Sequence, residues 1–179
     1  MSEKRLKIVL VGSPAVGKTS IANRYTRNLF ANRYIFTVGC DFYLKNVELD
    51  DIKYKLIIFD IGGQVEFQAP RRKYMENADI IFIVFALNDP DSHDIEPFFT
   101  DIKEIYNTSE EMPDFCIVAN KLDLVDLDAL DLSKIKSLAE SEGSRIYYTS
   151  AKENVNVKDL FLEMVKNRAK RATSPSNPS

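Results

Sequence analysis

The chain has 179 residues, 45% of them apolar and 28% charged, with a formal net charge of -3. That length suits one domain, the apolar share excludes whole-chain disorder, and the mild acidity excludes a globally basic nucleic-acid binder. Two cysteines and one histidine are too few for a disulfide scaffold or a His-built zinc site.

The N-terminal Met1-Ser2-Glu3-Lys4-Arg5 lacks an apolar signal region. Leu6 to Val11 reads as a buried strand running into a Gly-rich loop, and Ser20 to Asn28 follows as a helix with Ile21, Ala22 and Tyr25 at helical spacing. Phe42 to Leu49 and Tyr54 to Phe59 flank Asp50-Asp51, the pattern of an antiparallel hairpin. Ile80 to Leu87 and Phe115 to Ala119 are almost continuously apolar, as expected of strands covered on both faces. The first of these is the longest apolar run, far short of the ~20 residues that span a bilayer. Asp94 to Tyr106, Leu132 to Glu142 and Val157 to Ala169 carry helical patterns, and Ile146 to Tyr148 is the last strand. The basic residues Lys166, Arg168, Lys170 and Arg171 suit the negative end of a helix dipole or, alternatively, an acidic surface. His93 is expected at the surface near a helix start, and Cys116 in the core.

This alternation predicts an α/β fold of three layers. Its sheet is six-stranded and mostly parallel, with one antiparallel edge strand and helices on both faces. One domain is expected over residues 5–171, with a disordered tail over 172–179.

Gly12-Ser13-Pro14-Ala15-Val16-Gly17-Lys18-Thr19 fits the phosphate-loop pattern and stands in the required place between a strand and a helix. Its glycines let successive backbone N–H groups point at phosphate oxygens, and the helix start adds a positive dipole end. Lys18 brings charge to the outer phosphates, and the Thr19 hydroxyl suits Mg2+. The loop does not name the base.

Asn120-Lys121-Leu122-Asp123 follows a buried strand at its carboxyl end, where open α/β sheets bind ligands. A carboxylate at Asp123 accepts the paired N–H donors of guanine and leaves adenine with an unpaired clash. The apolar stem of Lys121 suits the face of a base.

Together these motifs make the chain resemble a small GTPase of the Ras superfamily, over roughly residues 5 to 171. Asp60-Ile61-Gly62-Gly63-Gln64 resembles the family's Asp-x-x-Gly-Gln element, and Ser150-Ala151-Lys152 its last base-contacting loop. Thr37 matches the first-switch threonine, and Thr37-Val38-Gly39-Cys40-Asp41-Phe42 is closest to the Rab subfamily. The resemblance implies GTP or GDP bound by Ser13, Pro14, Ala15, Val16, Gly17, Lys18, Thr19, Ser20, Phe30, Tyr34, Thr37, Gly63, Asn120, Lys121, Asp123, Ser150, Ala151 and Lys152. It places Mg2+ on Thr19 and Thr37, with Asp60 reached through water. Gln64, Lys18 and Thr37 are the implied catalytic residues, Gln64 orienting the attacking water. Slow GTP hydrolysis would then relax switch I (about 31–42) and switch II (about 60–78). Implied partners are an exchange factor, a GTPase-activating protein and effectors acting on a cytoplasmic monomer, with no nucleic acid. The alternatives are a nucleotide-locked scaffold that no longer hydrolyses GTP, or a phosphate-loop kinase or ATPase.

Three departures stand out. Pro14 lies where Ras-like chains carry glycine, beside the expected water and any incoming arginine. Gly62-Gly63 resembles the Arf subfamily's switch, and Val65 replaces the glutamate that follows Gln64 in Rab and Ras. No cysteine stands at the C-terminus for the prenyl anchor of Rab proteins, so membrane contact is expected to be indirect or weak. Arg33, Arg71 and Arg72 lie in or near the switches, where Phe67 and Tyr74 read either as effector anchors or as core.

Overall fold

The computed structural model describes residues 3–30, 37, 39–63, 68–109 and 111–173. Its strands are β1 (Lys4–Val11), β2 (Cys40–Leu49), β3 (Ile52–Ile61), β4 (Ile80–Ala86), β5 (Asp114–Asn120) and β6 (Ile146–Tyr148). They form one sheet in the order β2-β3-β1-β4-β5-β6, parallel throughout except for the β2–β3 pair. The predicted antiparallel edge strand is therefore β2. Asp50 and Asp51 make its turn with φ of 50° and 61°, the left-handed pair that matches hairpin twist and that aspartate tolerates.

Among the described residues, five α-helices cover the sheet: α1 (Lys18–Arg27), α2 (Gln68–Met75), α3 (Glu96–Ile105), α4 (Ser133–Ser141) and α5 (Val157–Thr173). Alternation along each strand divides the core into two. Ile8, Leu10, Ile58, Phe82, Val84 and Val118 pack with Ile21 and Tyr25 of α1 and Leu160, Phe161 and Val165 of α5. Tyr25 stacks on Phe161 with ring centroids 3.8 Å apart. The other face sets Val9, Val11, Ile81, Ile83, Phe85 and Ile117 against Met75 of α2, Phe98, Phe99 and Ile102 of α3, and Ile135 of α4. β4 is buried at all seven positions because both layers cover it.

Some sequence expectations are revised. The helix α2 lies within switch II, where the sequence pattern names no helix. α3 starts two residues later than expected, after a short 3-10 turn over Pro90–His93. His93 is half-buried rather than on the surface, because its Nε2 sits 3.1 Å from the Ala86 carbonyl and its ring meets Phe85 edge-on. α5 continues through residues 172 and 173, which the sequence pattern places in the tail; residues 174–179 lie outside the described part. Near its end, Arg168 pairs with Asp79 at 3.3 Å and Glu111 at 3.5 Å, and Arg171 with Asp114 at 2.5 Å. These two cations of the basic cluster thus lean on the molecule's own carboxylates. Among the described residues, no helix is long and apolar enough to cross a membrane.

The loops after β1, β3, β5 and β6 all emerge at the carboxyl edge of the sheet. β1 lies between β3 and β4, so strand succession changes direction there, and a crevice forms where ligands of open α/β sheets bind.

Candidate functional site

β1 ends at Val11, and the phosphate loop delivers the chain into α1 at Lys18. Gly17 caps this helix with φ of 100°. A Cβ there would stand 2.3 Å from Asn120 Nδ2, so only glycine allows the two loops to approach. Lys18 is buried, and its Nζ donates to the carbonyls of Gly12 and Ser13, each at 2.8 Å. Burial lowers its pKa to about 8, against the opposing charge of Asp60.

Register carries Asp60 to this point, since it lies beside Leu10 in the β1–β3 ladder. Asp60 is fully buried, and its Oδ2 accepts from Thr19 Oγ1 at 2.5 Å and Thr37 Oγ1 at 3.5 Å. The two threonine hydroxyls are 2.9 Å apart. Burial raises the Asp60 pKa, opposed by the Thr19 hydrogen bond and then by the Lys18 charge. Its second oxygen, Oδ1, is buried without a hydrogen-bond partner. Two hydroxyls and a carboxylate with an unsatisfied oxygen form a hard-oxygen donor set that fits Mg2+.

Switch II begins on top of the phosphate loop. The Gly62 N–H donates to the Gly39 carbonyl at 2.9 Å, joining the two switch regions. A Cβ on Gly63 would lie 2.5 Å from Pro14 N and 2.6 Å from Ser13 O, so Gly63 backbone packs directly over that peptide. The proline nitrogen, which has no hydrogen to donate, is thus covered by Gly63. Arg71 and Arg72 turn away to α3. Arg71 pairs with Asp101 and stacks over Phe98, 4.6 Å from its centroid, while Arg72 reaches Glu104 at 2.8 Å. Tyr74 is 37% exposed with its ring 6.1 Å from Phe59, whereas Phe42 on β2 is 66% exposed. Tyr34, Arg33, Val38, Gln64, Val65 and Phe67 lie outside the described residues.

The Asn120–Asp123 motif is built around a buried amide. Asn120 Nδ2 donates to the Val16 carbonyl at 2.9 Å, and its Oδ1 accepts from Thr149 Oγ1 and the Ala151 N–H, each at 3.2 Å. One side chain therefore joins the phosphate loop to the Asn120–Asp123 motif and the Ser150–Lys152 loop. Lys121 follows in the left-handed region with φ of 65°. Asp123 Oδ1 accepts from Ser150 Oγ at 2.5 Å, and Lys152 Nζ stands 3.9 Å from Asp123 Oδ2. Phe30, half-buried, packs against the α1 side of the core. Ser13, Ala15 and Ser20 lie in or directly after the phosphate loop, Ala15 with φ of 61°.

Sequence reasoning misses two supporting residues. Thr149 is fully buried and holds Asn120, while Arg24 of α1 grips the carbonyls of Ala151 and Lys152. Thr149 has a weak signal in its place beside Ser150, and Arg24 has none, because its partners lie 127 and 128 residues away.

The family model described as the Ras family matches residues 7–170. The chain is 35% identical over 175 residues to the GTP-binding protein yptV5 of Volvox carteri, covering 93% of this chain and 85% of that one. It is 36% identical over 169 residues to the Ras-related protein Rab-1D of Dictyostelium discoideum (90% and 80% covered). With the Ras-related protein Rab-21 of Homo sapiens it shares 33% identity over 160 residues (89% and 70% covered).

Proposed function

The chain belongs to the Ras family and is a Rab-like, GTP-binding switch that hydrolyses GTP; we propose that its nucleotide is held by the crevice at the carboxyl edge of the sheet, within one domain over residues 5–171. The observation that carries this assignment is the Asn120 amide, which fastens the base-side loops to the phosphate loop at Val16. Phosphate binding and base selection are thereby set at a fixed separation.

In this reading the amides of Ser13 to Thr19 (with Pro14 contributing shape but no donor) surround the β and γ phosphates, and Ser20 extends the cradle. Lys18 exchanges its two carbonyl contacts for phosphate oxygens. Asp123 pairs with the guanine N1 and 2-amino edge, and the Ala151 N–H faces the base oxygen. Lys121 lies over the base plane, Phe30 packs at its edge, Tyr34 closes on the nucleotide, and Ser150 and Lys152 hold Asp123 in place. Thr19 and Thr37 would hold Mg2+ directly and Asp60 through water. When bound, that ion neutralises charge on the β and γ phosphates. Gln64 orients the attacking water, and Gly63 senses the γ phosphate above the Ser13–Pro14 peptide.

A slow intrinsic rate belongs to this reading as well, with Arg71 paired to Asp101 and Arg72 to Glu104 on α3. Losing the γ phosphate releases Thr37 and Gly63 together, because the Gly62–Gly39 hydrogen bond couples the two segments. An exchange factor, an activating protein and effectors read that change. The exposed Phe42 and Tyr74 offer effectors apolar surface, and the Rab relatives suggest a role in membrane traffic.

Single-turnover hydrolysis of bound GTP with Mg2+, followed by phosphate release, tests this reading. Release is expected from the natural chain and is lost in Gln64→Leu, while excess ATP fails to displace GDP. Absence of phosphate release would favour a nucleotide-locked scaffold, and effective competition by ATP would overturn the base assignment.

A further inference from the structure

Arg24 stands in the last turn of α1, outside the phosphate-loop and base motifs. Its Nε donates to the Ala151 carbonyl and its Nη2 to the Lys152 carbonyl, both at 2.8 Å. Two parallel donors on two successive carbonyls are what a planar guanidinium fork supplies and a single ammonium does not. The remaining nitrogen, Nη1, reaches the Asn28 carbonyl at 3.2 Å and Asn28 Oδ1 at 3.4 Å. Asn28 ends α1 in the left-handed conformation, turning the chain toward Phe30. The Arg24 guanidinium also lies 5.9 Å from the centre of the Phe30 ring.

One side chain therefore grips the outer side of the Ser150–Lys152 loop and the turn that bears Phe30. From the other side, the Ala151 N–H is held by Asn120 Oδ1 at 3.2 Å. The loop's backbone is thus clamped between a buried amide and a guanidinium brought from 127 residues away.

We infer that Arg24 is a positioning residue that sets how long the guanine base is retained, by fixing the Ser150–Lys152 backbone and Phe30 together. It acts through the base loop and touches none of the phosphate-side groups Lys18, Thr19, Asp60 and Gly63. This inference rests on the guanine site proposed above. Its loss loosens the base end of the crevice and leaves the phosphate end assembled. The consequence is a split: nucleotide release accelerates, while the chemistry on nucleotide already bound changes far less.

The test compares the natural chain with Arg24→Ala and Arg24→Lys, each loaded with a fluorescent GDP analogue in Mg2+. Arg24→Ala is expected to release the analogue about tenfold faster, the loss of roughly one strong charge-assisted contact. Arg24→Lys, which restores the charge but not the fork, is expected to fall between the two. In parallel, single-turnover hydrolysis of prebound GTP is expected to change by less than about twofold. Release at the natural rate in both variants, while the natural chain binds GDP, overturns this inference and leaves the guanine site standing. Equal changes in release and hydrolysis, or a fully restored Arg24→Lys, also overturn it, because either outcome denotes general destabilisation or simple charge. Failure of the natural chain to bind GDP overturns the proposed site and this inference with it.

Discussion

Replacing Gly17 with alanine probes the junction on which the whole crevice depends. Gly17 holds φ of 100°, and an added Cβ would stand 2.3 Å from Asn120 Nδ2 and 3.5 Å from Cγ. Holding an L-residue in the left-handed region costs about 1–2 kcal/mol. The collision costs more, because Asn120 is buried and cannot move without leaving Val16 O, Thr149 Oγ1 and the Ala151 N–H. A buried polar group left unsatisfied costs roughly 1–3 kcal/mol, and at least one of these must be lost. Gly17→Ala is therefore expected to destabilise by roughly 2–5 kcal/mol, a large share of the ~5–15 kcal/mol of a typical domain. Gly143 provides the control: it has φ of 62° and a Cβ added to it would meet nothing within 4 Å, so Gly143→Ala carries backbone strain alone, about 1–2 kcal/mol. Urea unfolding followed by circular dichroism without added nucleotide measures both. Equal losses in the two variants would refute the argument that Gly17 is required by its approach to Asn120.

Three further outcomes are expected. Asp123→Asn keeps an oxygen for Ser150 Oγ but presents a donor to the base, so GDP affinity should fall by ~100-fold or more while xanthine diphosphate gains; unchanged guanine preference in competition binding counts against the assignment. Thr19→Ala removes a hydroxyl from the donor set with Thr37 and Asp60, so chelation by EDTA should speed GDP release from the natural chain but add nothing in the variant. A full EDTA effect in Thr19→Ala would remove Thr19 from the metal site. Tyr106→Phe deletes a hydroxyl that donates to the Met75 carbonyl at 2.6 Å and accepts from the Ala78 N–H at 2.8 Å. Both partners are buried, so urea unfolding should show a loss of about 1–3 kcal/mol, and no loss would contradict this tie between α3 and the end of α2.

Much of this molecule is legible locally. The alternating Phe42 to Leu49 run, the Asp50-Asp51 turn that follows it and the all-apolar β4 each state their structure within a few residues, because they are set by periodicity and backbone preference. α2 is not legible in that way. Its sequence, Gln-Ala-Pro-Arg-Arg-Lys-Tyr-Met, is mostly polar with a proline in the first turn, and its position depends on Met75 in the core and on Arg71 and Arg72 pairing with α3. The start of α3 escapes local reading for a related reason, since the Pro90–His93 turn and the half-buried His93 are fixed by contacts with the end of β4.

The candidate site divides along the same line. From the sequence alone come the donor types: the phosphate loop with Lys18 and Thr19, the Asn120–Asp123 pair, and the Asp60 to Gln64 element. These follow from residue chemistry at short spacing, which the chain order states directly. Tertiary structure alone decides which of them meet. Asn120 reaches Val16 across 104 residues, Asp60 reaches Thr19 across 41, and Arg24 reaches Ala151 across 127. Each of those contacts depends on strand order and register, which bring the ends of β1, β3, β5 and β6 to one edge. A hydrogen bond depends on distances of a few tenths of an ångström, and only the packed sheet sets them.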